Sequence, residues 1–166
     1  DVDRYKLHWN GKDWISYGDW LAAPRKPDFF RYPRILVREI TNPRVFATYT
    51  EEEYYNTPSI INCINFRIDI YYVLGILNSE LMSFYHNIMS PKAAKGLFPK
   101  ILVNDIRKIP IRLSKQNLLT QLVEKVKSML DNPNVEIDKQ IDEIVYEIYE
   151  INKEEREYIK KWFRER

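Results

Sequence analysis

Apolar residues recur along this chain with two different spacings. Between residues 34 and 66 they alternate with polar residues or form short β-branched runs, which predicts strands over residues 34–40, 45–50 and 59–66. A turn-like interval containing Asn42 and Pro43 separates the first two strands, so we expect a hairpin. Short strands are also predicted before residue 28, where the aromatic residues expected to anchor the fold are Tyr5, Trp9, Trp14 and Tyr17.

The rest of the chain carries the three-and-four spacing of helices. Asp69 is placed to cap a helix over residues 70–88 that has one apolar face. Residues 100–106 are predicted to return as a strand. Three further helices are predicted over residues 116–130, 136–150 and 154–163, the first two as an antiparallel hairpin.

These elements predict an α+β fold: a small mixed or antiparallel sheet with a packed central helix, followed by a C-terminal helical hairpin and a short terminal helix. We divide the chain into an α+β domain over residues 1–113 and a helical region over residues 114–166. Because the chain begins at Asp1 without a methionine, we expect it to be a piece of a larger polypeptide.

The net charge of +2 hides an uneven distribution of charged residues. Residues 136–157 are mostly acidic, whereas residues 86–115 contain Asp105 as their single acid. Because clusters of Lys and Arg attract polyanions, a nucleic acid is predicted to meet the middle of the chain. The basic side chains of residues 86–115 are Lys92, Lys95, Lys100, Arg107, Lys108, Arg112 and Lys115.

The residue patterns of common catalytic sites are missing. No two of the four glycines lie two residues apart, so there is no glycine-rich turn of the kind that binds S-adenosylmethionine or a nucleotide. No lysine has an acid two residues before it, as a common class of metal-dependent nuclease requires. Asn42 and Pro43 lack the second proline and the aromatic residue of amino-methyltransferases. We therefore predict no catalytic and no cofactor-binding residue in this chain.

Histidine and cysteine usage gives no sign of a metal site. His8 and His86 are far apart and have no zinc-like spacing. Cys63 is the single cysteine, which excludes an intrachain disulfide and fits a reducing cytoplasm, our predicted location. No apolar run reaches the roughly 18 residues of a membrane helix.

The order of several short motifs resembles that of a known family, the TaqI-like C-terminal specificity domain. This is the target-recognition domain of restriction-modification DNA adenine methyltransferases, including type IIG enzymes. Glu150 departs from the family pattern, which often has glycine there, so we expect the turn to differ. The matching motifs are Tyr17 with Gly18, Pro24 with Arg25, Phe29 with Phe30, residues 35–38, Tyr54 with Tyr55 and Asn56, residues 77–81, residues 106–111, residues 142–149 and residues 153–156.

The resemblance implies that this chain recognises duplex DNA for a catalytic domain elsewhere in the same polypeptide. The parent enzyme would transfer a methyl group from S-adenosylmethionine to adenine N6, and Mg²⁺ would serve a fused nuclease. Residues 77–81 are expected to be structural, with Asn78 and Ser79 bonding a neighbouring turn. Tyr54 and Tyr55 are expected to stack on DNA or to pack within the turn.

The residues themselves suggest which side chains contact DNA. Arg34 and Arg38 lie four apart on one strand face, and Arg44 lies in a turn that can enter a groove. The alternative is an ordinary solvated surface. We expect the cations of this set to form one concave, positively charged face. The predicted DNA-binding set is Arg34, Arg38, Asn42, Arg44, Lys92, Lys95, Lys100, Arg107 and Lys108.

Two other functions remain open at this stage. One is a protein-interaction or scaffold module that uses its helical tail and does not bind DNA. The other is a self-contained enzyme of an unfamiliar type.

Overall fold

The computed structural model describes residues 1–41, 43–90 and 99–166. β3 lies between β4 and β5 in an antiparallel three-stranded sheet, and β1 pairs with β2. The predicted hairpin is therefore confirmed, and so is the α+β class. Within the described ranges the strands are Val2–Asp3 (β1), Lys6–Leu7 (β2), Arg34–Arg38 (β3), Ala47–Thr50 (β4) and Ile60–Cys63 (β5).

The two faces of the three-stranded sheet have different neighbours. Alternate residues of β3 point to opposite faces. Ile35 and Val37 face the helices and belong to the hydrophobic core. Arg34, Leu36 and Arg38 point to the opposite face, which the helices leave uncovered. This second face forms the candidate site described below.

The helices cover one side of the sheet and one another. α1 packs between the sheet and α4, α4 packs along α5 as the predicted hairpin, and α6 packs against α2. The described helices are Ile70–Asn78 (α1), Glu80–Met89 (α2), Val103–Arg107 (α3), Gln116–Asp131 (α4), Val135–Ile148 (α5) and Lys153–Arg164 (α6).

The contact between α1 and α4 depends on Gly75. A Cβ atom at this position would lie 2.8 Å from side-chain atoms of both Leu122 and Val126. Glycine therefore allows the two helices to approach closely. The hydrophobic core extends from the sheet through α1 to α4 and α5, while the proposed division at residue 113 stays a prediction.

The helix predicted over residues 70–88 is divided into α1 and α2. The predicted cap is confirmed, since the Asp69 carboxylate accepts from the amides of Tyr71 and Tyr72 at 2.8 and 3.1 Å. Ser79 interrupts the helix with an extended backbone, at φ −66° and ψ 156°. Its hydroxyl donates to Ile76 O at 2.7 Å and accepts from Met82 N at 3.1 Å. Ser79 thus ends one helix and caps the next.

One local prediction differs from the structure. The strand predicted over residues 100–106 is wrong: Lys100 makes an isolated bridge with Ile40, and α3 follows. The Asp105 carboxylate accepts from Leu102 N at 2.9 Å and so stabilises a helical turn. Glu150 has φ 57°, in the left-handed region that favours glycine, so the chain adopts a glycine-type turn without the glycine.

Cys63 packs against the core, and burial raises the pKa of its thiol to about 11. The thiolate is the reactive form, so the native thiol should react slowly with Ellman's reagent at pH 8. We expect the native rate to be at least roughly tenfold below the rate of the protein unfolded in urea. Equal rates in the two states would contradict this assignment.

Candidate nucleic-acid interface

The sheet face opposite the helices forms the base of an open cleft of about 1490 Å³. Leu36 and Arg38 of β3 and Ile60 of β5 line its base. Irregular segments that precede β3 and follow β4 rise on either side of this base. They bring Trp9, Trp14 and residues 52–57 to the cleft.

Aromatic rings form one wall of the cleft. The Trp9 ring lies edge-on to Trp14, with 5.4 Å between their centroids, and 5.6 Å from the centroid of Tyr54. Trp14 is 81% exposed, although indole rings are usually well buried. Exposed aromatic faces suit contact with a planar ligand.

Arg34 lies beneath this cleft and has no solvent exposure. Its guanidinium donates to Asn62 Oδ1 at 3.1 Å and to the carbonyl oxygens of Tyr32, Glu52 and Tyr54 at 3.2, 3.0 and 2.8 Å. All of these acceptors are neutral, and burial lowers the pKa of Arg34. The predicted DNA contact is therefore corrected: in this structure the side chain anchors the chain segments around the cleft.

Of the predicted DNA-binding residues that the structure describes, Arg38 lines the cleft. Its guanidinium lies 3.7 Å from the ring centroid of Phe46 and donates to Ile40 O at 3.0 Å. The side chain remains 26% exposed. A DNA contact by Arg38 stays a prediction, and its position is compatible with that contact.

Lys100 does not line the cleft, but its backbone bridges Ile40, a residue of the cleft lining. Its ammonium group is 3.2 Å from the Glu39 carboxylate, so part of its charge is compensated. Asn42, Lys92 and Lys95, which were predicted to contact DNA, lie outside the described residues.

Arg107 and Lys108 lie apart from the cleft, at the end of α3. Both are exposed, and Lys108 lines a small separate pocket beside His86 and Asp105. Burial lowers the pKa of His86. Their contact with DNA stays a prediction, but the structure does not bring them to the surface that carries Arg38.

Arg44 was predicted to lie at an exposed turn tip, and this prediction is corrected. Its guanidinium lies 3.2 Å from the Asp142 carboxylate of α5 and 3.3 Å from the Glu80 carboxylate of α2. It also donates to Asn78 O at 2.9 Å. Arg44 thus ties the segment before β4 to three helices, with its charge directed inward.

Asp142 is a buried carboxylate of this ionic cluster. Burial raises the pKa of its carboxyl group to about 6, while Arg44 and a hydrogen bond from the Glu80 amide, at 2.7 Å, oppose the increase. Arg4 extends the cluster by pairing with Asp138 of α5. The cluster therefore balances two arginines against three carboxylates in a region of low exposure.

The Asn78 side chain joins the same region to the sheet. Its amide group accepts from Ala47 N and donates to Ala47 O, both at 2.9 Å. Asn78 is fully buried, so these bonds satisfy a polar group that water cannot reach. The structural interpretation of residues 77–81 is confirmed.

The similarity of this chain to known proteins identifies its family. The family model of the TaqI-like C-terminal specificity domain matches residues 1–111, which include the sheet, the cleft and α1 to α3. The chain belongs to this family.

The specificity domain also has a relative among curated proteins, the "Putative type II restriction enzyme and methyltransferase RM.MjaORFECS2P" of Methanocaldococcus jannaschii. The two are 28% identical over 163 residues. The alignment covers 90% of this chain but only 14% of the relative. The similarity extends past residue 111 and therefore includes much of the helical region.

The predicted cations of the specificity domain do not gather on one face as expected. Arg34 and Arg44 are turned inward, while Arg38 and Lys100 are near the cleft. Trp9 and Trp14 were predicted to anchor the fold, but both are exposed. The sequence does indicate this exposure. The two tryptophans flank a polar turn at residues 10–13, and the residues around them lack the apolar periodicity of a buried element.

Residues 1–41, 43–90 and 99–166 contain neither a membrane-spanning helix nor a metal-binding cluster. None of the helices there could extend across a lipid bilayer as an apolar span. No group of three His, Cys, Asp or Glu side chains comes together as a metal site there.

Proposed function

We propose that this domain recognises a specific sequence of duplex DNA as part of a restriction-modification adenine-N6 methyltransferase. The observation that carries the proposal is the open cleft on the helix-free face of the sheet, in a chain that belongs to a specificity-domain family. The relative described as a restriction enzyme and methyltransferase supports the same assignment.

The chemistry of the cleft fits recognition of DNA bases. Trp9, Trp14 and Tyr54 offer apolar faces, while Arg38 offers hydrogen-bond donors. Base sequence is read by hydrogen bonds and apolar contacts to base edges, whereas phosphate contacts fix position. The cleft therefore supplies both kinds of group that base reading needs.

Exposed cations at the edge of the cleft would position the DNA backbone. Arg31 lies 3.2 Å from Glu53, a residue of the cleft lining. The Tyr17 hydroxyl donates to Arg25 O at 2.6 Å, and the Tyr17 ring lies 4.4 Å from that of Tyr55. Such flexible cations at a rim suit phosphate contacts, since these contacts require charge but little geometric precision.

The catalytic step belongs to another part of the proposed enzyme. A catalytic domain in the same polypeptide would bind S-adenosylmethionine and methylate adenine N6, and a nuclease with Mg²⁺ could be fused to it. The enzyme would act on DNA in the cytoplasm. This domain would orient the duplex and select the target sequence.

The aromatic wall provides a direct test. Binding is measured by titrating the protein into labelled duplex recovered from a randomised pool, at about 50 and 200 mM salt. We expect Trp9→Ala and Trp14→Ala each to weaken binding by roughly 10- to 150-fold, because each removes an apolar contact surface worth about 1.5 to 3 kcal/mol when it is buried. Binding should also weaken as salt increases.

Trp20→Ala is the matched control, since Trp20 is exposed but packs over Gly18 and does not line the cleft. It should bind like the wild type. Equal losses in all three variants would argue against the cleft. Absence of binding at low salt would favour the scaffold function, and methyl transfer or cleavage by this chain alone would favour a self-contained enzyme.

A further inference from the structure

The cleft is rich in carboxylates for a surface that faces DNA. The acidic residues of the cleft lining are Asp1, Asp13, Glu52 and Glu53. Among the described residues, Arg38 is the arginine of this lining. A phosphate would be repelled by this lining, so the cleft is suited to neutral base edges, with the phosphates outside at the rim. This step rests on the proposed function and makes it more specific.

Three of the four carboxylates already have partners. Asp1 accepts from Val2 N at 2.8 Å, and Asp13 accepts from the Asn10 side chain at 2.7 Å. Glu53 accepts from Arg31 at 3.2 Å and from the Tyr55 hydroxyl at 2.7 Å. Within the described part of the chain, the Glu52 carboxylate has neither a hydrogen bond nor an ion pair.

The backbone of Glu52 is held at both of its polar groups. Its amide donates to Thr50 Oγ1 at 3.1 Å. Its carbonyl oxygen accepts from Arg34 at 3.0 Å and from Tyr54 N at 3.0 Å. Because Arg34 and Thr50 are buried, this support is shielded from water. The fixed backbone therefore presents an unpartnered hydrogen-bond acceptor at a defined position of the cleft lining.

We infer that Glu52 determines specificity by accepting a hydrogen bond from the exocyclic amino group of a cytosine in the DNA target. An ionised carboxylate only accepts hydrogen bonds, and cytosine presents N4 as a donor in the major groove. Adenine also has an amino donor, but its N7 acceptor beside it repels a carboxylate. Guanine presents two acceptors there and is excluded for the same reason.

The replacement Glu52→Gln tests this assignment. A glutamine both donates and accepts, which matches the paired donor and acceptor of adenine. We expect duplexes selected from a randomised pool by the wild-type protein to contain a cytosine at one position. For the variant, the preferred base at that position should change to adenine. Its affinity for the cytosine-containing duplex should fall by up to about tenfold.

Glu51→Gln is the matched control, because it removes one negative charge from the neighbouring residue, which does not line the cleft. Both variants should change non-specific binding equally, and only Glu52→Gln should change the selected base. Selective binding with an unchanged base preference in Glu52→Gln overturns this inference and leaves the proposed function intact. Failure of the wild-type protein to select any sequence overturns both.

Discussion

Arg44→Met is expected to lower the free energy of unfolding at pH 7 by about 3 to 5 kcal/mol. The substitution leaves the Glu80 and Asp142 carboxylates together without their shared cation, in a site where both are mostly buried. Urea denaturation followed by circular dichroism measures the change. Arg31→Met is the matched control: Arg31 is exposed in its pair with Glu53, so its loss should be barely measurable.

The pH dependence of this defect has a definite sign. Burial holds the pKa of Asp142 at about 6, above that of an unfolded aspartate, and loss of Arg44 removes an opposing influence and raises it further. The folded variant therefore binds this proton at a higher pH than the folded wild type does, so its stability relative to the wild type should increase as pH falls toward 6 and level off below 6, where both folded proteins carry the proton. A deficit that grows with acidification would contradict this account.

Arg34→Met is expected to lower the free energy of unfolding by about 3 to 5 kcal/mol. Replacing a buried charge with an apolar residue is sometimes neutral, but only where its partners are replaced as well. Three of the partners of Arg34 are backbone carbonyl oxygens, which no substitution can remove. The carbonyl oxygens of Tyr32 and Tyr54 would lose the bond from Arg34, whereas Glu52 O would keep its bond from Tyr54 N. Urea denaturation again gives the magnitude.

Arg38→Met is the control for Arg34, since it changes the same residue type on the same face of β3. Its guanidinium is partly exposed, so we expect a loss of about 1 kcal/mol or less. Arg34→Met should in addition increase hydrogen exchange at the amide of Tyr54, which bonds to Glu52 O. Equal destabilisation by the two variants would show that Arg34 has no special anchoring role.

The two arginines explain why the predicted basic face was wrong in part. Alternation along β3 correctly places Arg34 and Arg38 on one sheet face, and on that basis both qualify as DNA contacts. Whether each side chain is buried depends on hydrogen-bond acceptors distant in sequence. Arg34 donates to carbonyl oxygens 18 and 20 residues later in the chain. Arg44 meets an acid 98 residues away. Charge and local pattern carry no information about such partners.

The amino-acid sequence by itself determined the elements: the β3–β4 hairpin, the Asp69 cap, α4 to α6 and the family motifs. These features depend on contacts within a few turns or between adjacent strands, so local periodicity encodes them. Tertiary packing alone decided which arginines are buried, where the cleft lies and that the Glu52 carboxylate has no partner among the described residues. The reason is physical, because desolvation and hydrogen-bond satisfaction depend on the whole fold around a side chain.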